Sequence, residues 1–321
     1  MFFIIRSLVY FRLLTIFSFI SLFICSWFDL WILIEIINFT IIPFFFFNKN
    51  NISMVILFKF YTINTLISFI ILFSFIWHRR LLIYPIMSLV MMMKINLTPF
   101  YFWFIKIIKR IDFKRFIFIL TINKLPVFIG ITLCLPFVSK EIIVAVILLS
   151  LIVPTFHVLN ENLLNIIMFL SSRYNSAWMT IIILYKLLKE WILYFLIYSI
   201  ILSIVIVIFN NAGVEKISDI HITAPFIAFN IILVILNYIR IPPTCRFIIK
   251  FMVVFQLIKF SELYVVIFFI IATSTIWLMT YFNLGLKYWL LNSQVHYFSI
   301  SNFTKLLITT NIFLIYLIYI I

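Results

Sequence analysis

Apolar runs of about the length needed to cross a bilayer follow one another along this chain, separated only by short polar segments. A membrane-crossing helix needs roughly 20 mostly apolar residues. Runs of that kind occupy about 2–25, 27–47, 52–77, 81–105, 113–136, 139–157, 162–186, 190–210, 223–259, 262–286 and 305–321. The punctuation between them includes Asn48-Lys49-Asn50-Asn51, His78-Arg79-Arg80, the run Lys106 to Arg115, Asn210-Asn211 and the segment Glu215 to His221. Soluble domains keep roughly a quarter of their residues charged to present a wetted surface. Here 10% of the 321 residues are charged and 66% are hydrophobic, so lipid must be the solvent for most of the chain. The expected fold class is therefore an all-α integral membrane protein of about 11 transmembrane helices in one polytopic domain, 1–321.

Two of these helices are expected to be broken. The 223–259 segment is too long for one straight span. Its Pro242-Pro243 pair removes the hydrogen bonds otherwise made to the carbonyls of Tyr238 and Ile239. Pro99 frees the Ile95 carbonyl in the fourth span in the same way. Broken backbone at membrane depth survives only where it lines a polar cavity or is buried in protein. The breaks fall in the fourth and ninth spans. That odd offset gives two oppositely oriented halves, as in antiporter-like inverted repeats. The first repeat covers about 1–136 and the second about 139–286, followed by a final helix at about 305–321.

The net charge is +15. In a soluble protein that would point to nucleic acid; here the basic residues gather between spans, as membrane orientation requires, and no nucleic-acid partner is expected. With the N-terminus on one face, that face carries Arg6, Lys49, Lys106, Lys109, Arg110, Lys114, Arg115, Lys216, Lys287 and Lys305. The other carries Arg79, Arg80, Lys140, Lys186, Lys189 and Lys259. The excess puts the N-terminus on the matrix or cytoplasmic side, and an odd span count puts the C-terminus opposite. The wealth of Phe, Ile, Asn, Lys and Met beside scarce Gly, Ala, Asp and Glu is what A+T-rich codons give, and points to an organellar or A+T-rich genome. No cleavable signal or Arg/Ser-rich transit peptide precedes the first span. Cys25, Cys134 and Cys245 show no metal-ligand spacing and read as small apolar residues.

A few ionisable residues lie at span centres, where each costs roughly 2.5–3.5 kcal/mol on insertion scales and is a functional candidate by default. Glu35 is mid-span in WILIEIINF, Lys94 precedes Pro99 by five residues, and Lys124 stands in TINKLP before Pro126. Lys250 follows the double proline by seven residues, either as the last member of a row or as an interfacial lysine in a re-entrant piece. Low dielectric disfavours an ammonium and a nearby carboxylate favours it. One Glu with several Lys in a row can therefore exchange protons at little net cost. Lys59 is near a helix start and can snorkel to the interface. Arg173 cannot lose its proton and reads as a structural ion-pair or lipid contact. His78, His157, His221 and His296 are scattered, and no phosphate loop or metal constellation is present.

These motifs resemble subunit 2 of the NADH:ubiquinone oxidoreductases (respiratory complex I), an antiporter-like family. WILIEIINFTIIPFF (31–45) resembles its Trp-x-Gly-Leu-Glu-x-Asn segment, and LFKFYTINTLIS (57–68) its Lys-Tyr-Phe-x-x-Gln segment. MMMKINLTPFYFWF (91–104) resembles Lys-x-Gly-x-Ala-Pro-Phe-His-Phe-Trp, and TINKLP (121–126) resembles Trp-Gln-Lys-x-Ala-Pro. LNENLLNIIMFLSSRYNSAWM (159–179) and IPPTCRFIIKF (241–251) resemble two further family stretches, the second placing Lys250 on a family lysine. The sequence departs at the family glycines around the double proline, where it has Ile239, Arg240 and Arg246. The two family histidines become Tyr101 and Asn175.

The resemblance implies a proton-translocating membrane-arm subunit, with protons relayed along Glu35, Lys94, Lys124 and Lys250. It implies no cofactor in this chain, in a complex that uses NADH and ubiquinone. It also implies neighbouring antiporter-like subunits and lipids, cardiolipin among them, as partners. The location it implies is the mitochondrial inner membrane, with a matrix-side N-terminus and the C-terminus on the intermembrane side. A free-standing cation/proton antiporter has the same architecture, and a membrane assembly protein without transport is a third class.

Overall fold

Hydrocarbon offers the backbone no hydrogen-bond partners, so a chain in lipid must satisfy its N–H and C=O groups within itself, and helices do this locally. The computed structural model describes residues 2–46, 54–76, 83–109, 113–134, 140–213, 245–259 and 264–291. Among the described residues the regular structure is helical, without strands. The first helices are α1 (Phe2–Ile20), α2 (Trp27–Phe46), α3 (Met54–Ile76), α4 (Ile83–Lys94), α5 (Phe102–Ile108), α6 (Phe113–Leu120) and α7 (Leu125–Cys134). They are followed by α8 (Lys140–Val158), α9 (Leu164–Leu184), α10 (Leu188–Ala212), α11 (Cys245–Leu257) and α12 (Tyr264–Leu291).

Among the described residues, five stretches are long and apolar enough to cross a membrane: Trp27–Phe44, Arg115–Cys134, Lys140–Val158, Leu188–Asn211 and Tyr264–Tyr281. Pro242-Pro243, Arg240 and the expected final helix at 305–321 lie outside the described residues.

Contacts divide the chain into two compact units. One comprises Met1–Ser150 with Ser172–Lys186, the other Leu151–Ser171 with Leu187–Ile321. In the first, α1, α2, α3 and α4 pack in sequence order, and α7 packs on α1, α2 and α4. The helix α2 shows how an apolar helix sorts its sides without polar patterning. Leu30, Ile34, Ile37 and Ile41 are buried, while Phe28, Ile32, Ile36 and Phe39 are exposed and form an outward apolar stripe. Edge-on contacts of Phe118 with Phe11 (4.5 Å between centroids) and Phe44 (4.6 Å) tie α6 to α1 and α2. In the second unit α10 packs on α11, and Gln256 Nε2 donates to Glu190 Oε1 at 2.7 Å.

The break expected near Pro99 is present, and it begins several residues before the proline. The fourth span ends before its proline: α4 stops at Lys94, and α5 begins only at Phe102. Asn96 N donates to Met93 O (2.8 Å) and Leu97 N to Met92 O (3.0 Å), with Asn96 left-handed at φ 59°. This bond pair and dihedral form a Schellman cap, which satisfies carbonyls that a helix end leaves open. Asparagine adopts that conformation more readily than branched residues do. Asn96→Val is therefore expected to destabilise the fold by about 1–2 kcal/mol, whereas Asn96→Gly keeps native stability; thermal denaturation of the purified assembly measures both.

The fifth span, expected to be continuous, is interrupted as well. A 3-10 turn, Ile122–Lys124, separates α6 from α7. Pro126 falls in the first turn of α7, where its missing N–H costs least, so it marks a helix start rather than a kink. Arg115, counted above with a basic loop, is instead in α6 and only 3% exposed.

Candidate functional site

The midpoint acid is built from two neighbouring helices. Glu35 stands on α2, one turn after Trp31. Trp31 Nε1 donates to the Ser68 carbonyl of α3 at 2.9 Å, pinning α2 to α3 at that level. The Ser68 hydroxyl, fully buried, donates to Glu35 Oε1. The same hydroxyl lies 2.8 Å from the Thr65 carbonyl of its own helix. A hydroxyl has a single proton, so it serves one of these acceptors at a time.

Lys94 is the last residue of α4 and 6% exposed. The carbonyl end of a helix carries a partial negative charge that favours a cation, and the charge of Glu35 reaches Lys94 as well. The two are coupled through space and not bonded: Lys94 Nζ is buried without a hydrogen-bond partner. Two polar atoms just beyond it in the break, Asn96 Oδ1 and Thr98 Oγ1, are buried in the same state.

Lys124 closes the 3-10 turn between α6 and α7 and is 3% exposed. Its ammonium crosses to α9, donating to the Ser172 carbonyl at 3.1 Å and to Ser176 Oγ at 2.6 Å. In α9 every residue from Ile166 to Leu184 is buried, including Ser171, Ser172, Arg173, Asn175, Ser176 and Thr180. Arg173, 1% exposed, sets its guanidinium over the Phe104 ring at 5.9 Å. It is thus enclosed by the chain and not presented to lipid. Lys250 lies in α11 and is 7% exposed, whereas Lys59 is exposed on α3. His157, read from sequence as isolated, is 3.2 Å from Glu161 in the last turn of α8.

Glu35, Lys94 and Lys250 thus sit on α-helices and Lys124 in the turn between α6 and α7, and the three lysines are buried. Glu35 and Lys94 are brought within electrostatic reach of each other. Lys94 ends α4 at one interruption of α-helical structure, and Lys124 stands within another. The arrangement holds buried lysines next to hydroxyls and helix ends. The sequence reading missed Ser68, Ser172 and Ser176. Serines with no pattern of their own carry no signal, and the Lys124–Ser176 pair spans 52 residues.

No family model matches the sequence. Curated relatives do. NADH-ubiquinone oxidoreductase chain 2 of Rhipicephalus sanguineus is 24% identical over 296 residues, covering 90% of this chain and 92% of the relative. The chain 2 protein of Anopheles gambiae is 23% identical over 291 residues, covering 86% and 84%. Among solved structures, a chain of respiratory complex I from Thermus thermophilus superposes with a TM-score of 0.70 at 14% identity, over 80% of this chain and 64% of that one. A chain of the Mrp complex from Dietzia sp. DQ12-45-1b gives 0.70 at 12% identity, over 82% and 56%. This chain therefore spans less than two thirds of the length of either structural neighbour, and at such identities the likeness establishes fold alone. Over most of its length, the sequence of this chain is similar to NADH-ubiquinone oxidoreductase chain 2 proteins.

Proposed function

We propose that this chain is a proton-translocating membrane-arm subunit of an NADH:ubiquinone oxidoreductase and carries protons along Glu35, Lys94, Lys124 and Lys250. The observation that carries the reading is that three buried lysines and one mid-helix glutamate occur in a chain related throughout to chain 2 proteins. An ionisable group at membrane depth is retained for what its charge does, because an apolar residue would cost less there.

In this reading Glu35, held by Ser68, supplies a negative field that lets Lys94 carry a proton despite its burial. Buried polar atoms of Asn96 and Thr98 follow Lys94 in the break after α4. Lys124 relays next, and Lys250 exchanges with the outer aqueous side. This chain holds no redox cofactor of its own. NADH oxidation and ubiquinone reduction elsewhere in the complex supply the energy.

The proposed setting is the mitochondrial inner membrane, with the N-terminus in the matrix and the C-terminus on the intermembrane side. Eleven spans arranged as two inverted repeats, about 1–136 and 139–286, would place the breaks in matching positions. Neighbouring antiporter-like subunits flank the chain, and lipids including cardiolipin fill the gaps between them.

A free-standing antiporter of similar fold would exchange cations for protons when reconstituted alone. A complex subunit co-purifies with NADH:ubiquinone activity and is inactive by itself. Within the complex, Glu35→Gln preserves shape and removes the charge. The protons moved per NADH are expected to fall by about tenfold, equivalent to about 1.4 kcal/mol of lost charge stabilisation, while assembly stays native. An unchanged ratio in that variant would remove Glu35 from the pathway.

A further inference from the structure

Lys124 is held by two acceptors of different chemistry, both on one turn of α9. The Ser172 carbonyl can only accept. The Ser176 hydroxyl accepts through its lone pairs and also carries a proton of its own. That proton is directed at the Ser172 carbonyl, 2.8 Å away and one turn back along the helix. Lys124, Ser172 and Ser176 are all buried, at 3% exposure or less.

A lysine that relays protons alternates between ammonium and amine. As an ammonium, Nζ donates to both acceptors. As an amine, Nζ has a lone pair that calls for a donor. A carbonyl cannot provide one, whereas a hydroxyl does so by rotating about its C–O bond. The charge of Arg173, next to Ser172 in α9, reaches Lys124 and repels its ammonium.

We infer that Ser176 is a positioning residue for Lys124: its hydroxyl keeps Nζ docked on α9 in both protonation states, turning from the Ser172 carbonyl to Nζ when the lysine gives up its proton. The relayed proton passes onward and Ser176 keeps its own, so only the direction of one O–H bond changes. The inference rests on the relay role of Lys124 and adds the group that keeps the relay aligned.

The test uses the assembled complex with four variants of this chain: Ser176→Ala, Ser176→Cys, Ser176→Thr and Lys124→Met. Proton translocation is read against NADH oxidation, and the amount of assembled complex is measured for each. Loss of a hydrogen bond to a charged group is expected to slow translocation by about tenfold in Ser176→Ala. Ser176→Cys keeps the volume with a much weaker bond and is expected to be equally slow, so a packing defect in the alanine variant would not obscure the result. Ser176→Thr keeps the hydroxyl and is expected to stay within about twofold of native, given that its Oγ1 makes the same helix back-bond.

Native translocation by Ser176→Ala and Ser176→Cys, with Lys124→Met inactive, overturns the inference and leaves the relay reading intact. A Ser176→Thr variant as slow as Ser176→Ala also overturns it, because volume and not the hydroxyl would then be the cause. Native translocation by Lys124→Met removes the relay reading, and the inference with it.

Discussion

In Lys94→Met, proton translocation is expected to fall by about 100-fold or more, the range for removing a proton-transfer group starting near that value, while assembly is retained. Methionine has nearly the length of lysine, is unbranched, and adapts readily to irregular space. It brings no buried charge to desolvate, so the fold loses nothing that lysine supplied by packing. Lys94 Nζ has no hydrogen bond to lose, and the Schellman bonds that end α4 are all backbone. What disappears is a charge at the carbonyl end of a helix within reach of Glu35. The measurement is protons moved per NADH oxidised in sealed vesicles, with assembled complex quantified in parallel. Native pumping in Lys94→Met would take the residue out of the pathway; loss of assembly would make it structural instead.

Gly130→Leu should do the reverse, leaving every ionisable group in place and undoing the packing. Gly130 lies in α7, whose neighbours in that stretch are all buried. Even a Cβ there would meet Met91 Cε at 2.7 Å and Met91 Sδ at 3.1 Å, with Leu30 Cδ2 at 3.6 Å. Alanine can be accommodated by swinging the end of the methionine side chain. Leucine adds further atoms to a space already filled by α4 and α2, and overpacking of this kind typically costs 1–3 kcal/mol. Met91 is one turn before Lys94, so the helix pushed aside is the one that carries the lysine. Gly130→Leu is expected to reduce the assembled complex severalfold, with Gly130→Ala near native; native abundance of the leucine variant would show that α7 and α4 are not held at this point.

How far the sequence reveals the protein can be judged residue by residue. Lipid as solvent follows from composition alone, because 10% charge cannot wet a surface for 66% hydrophobic residues. The candidate groups are equally visible: Glu35, Lys94, Lys124 and Lys250 stand out because a charge in an apolar run is expensive wherever the run folds. Resemblance to chain 2 proteins was legible in short motifs spread along the chain, and comparison over most of its length bears that out.

The fine placement of those groups was not legible. Pro99 marks a break, yet the helix ends at Lys94, because Asn96 can take the left-handed conformation that a Schellman cap requires. The fifth span, about 113–136, reads without a break at Pro126. Pro126 is a first-turn proline of α7, and Lys124 stands in the gap before it. Arg115 read as part of a basic loop and proved to be buried in α6.

Sequence by itself determined the solvent, the helical class and the positions of the costly charges, since each of these depends on residue type and local spacing. Only the tertiary structure decided that Ser68 meets Glu35 and that Ser176 meets Lys124. The residues of those pairs lie 33 and 52 positions apart, and serine is too common and too neutral to announce a partner. What brings them together is the packing of whole helices, and that is set by apolar surfaces on which neither serine has any influence.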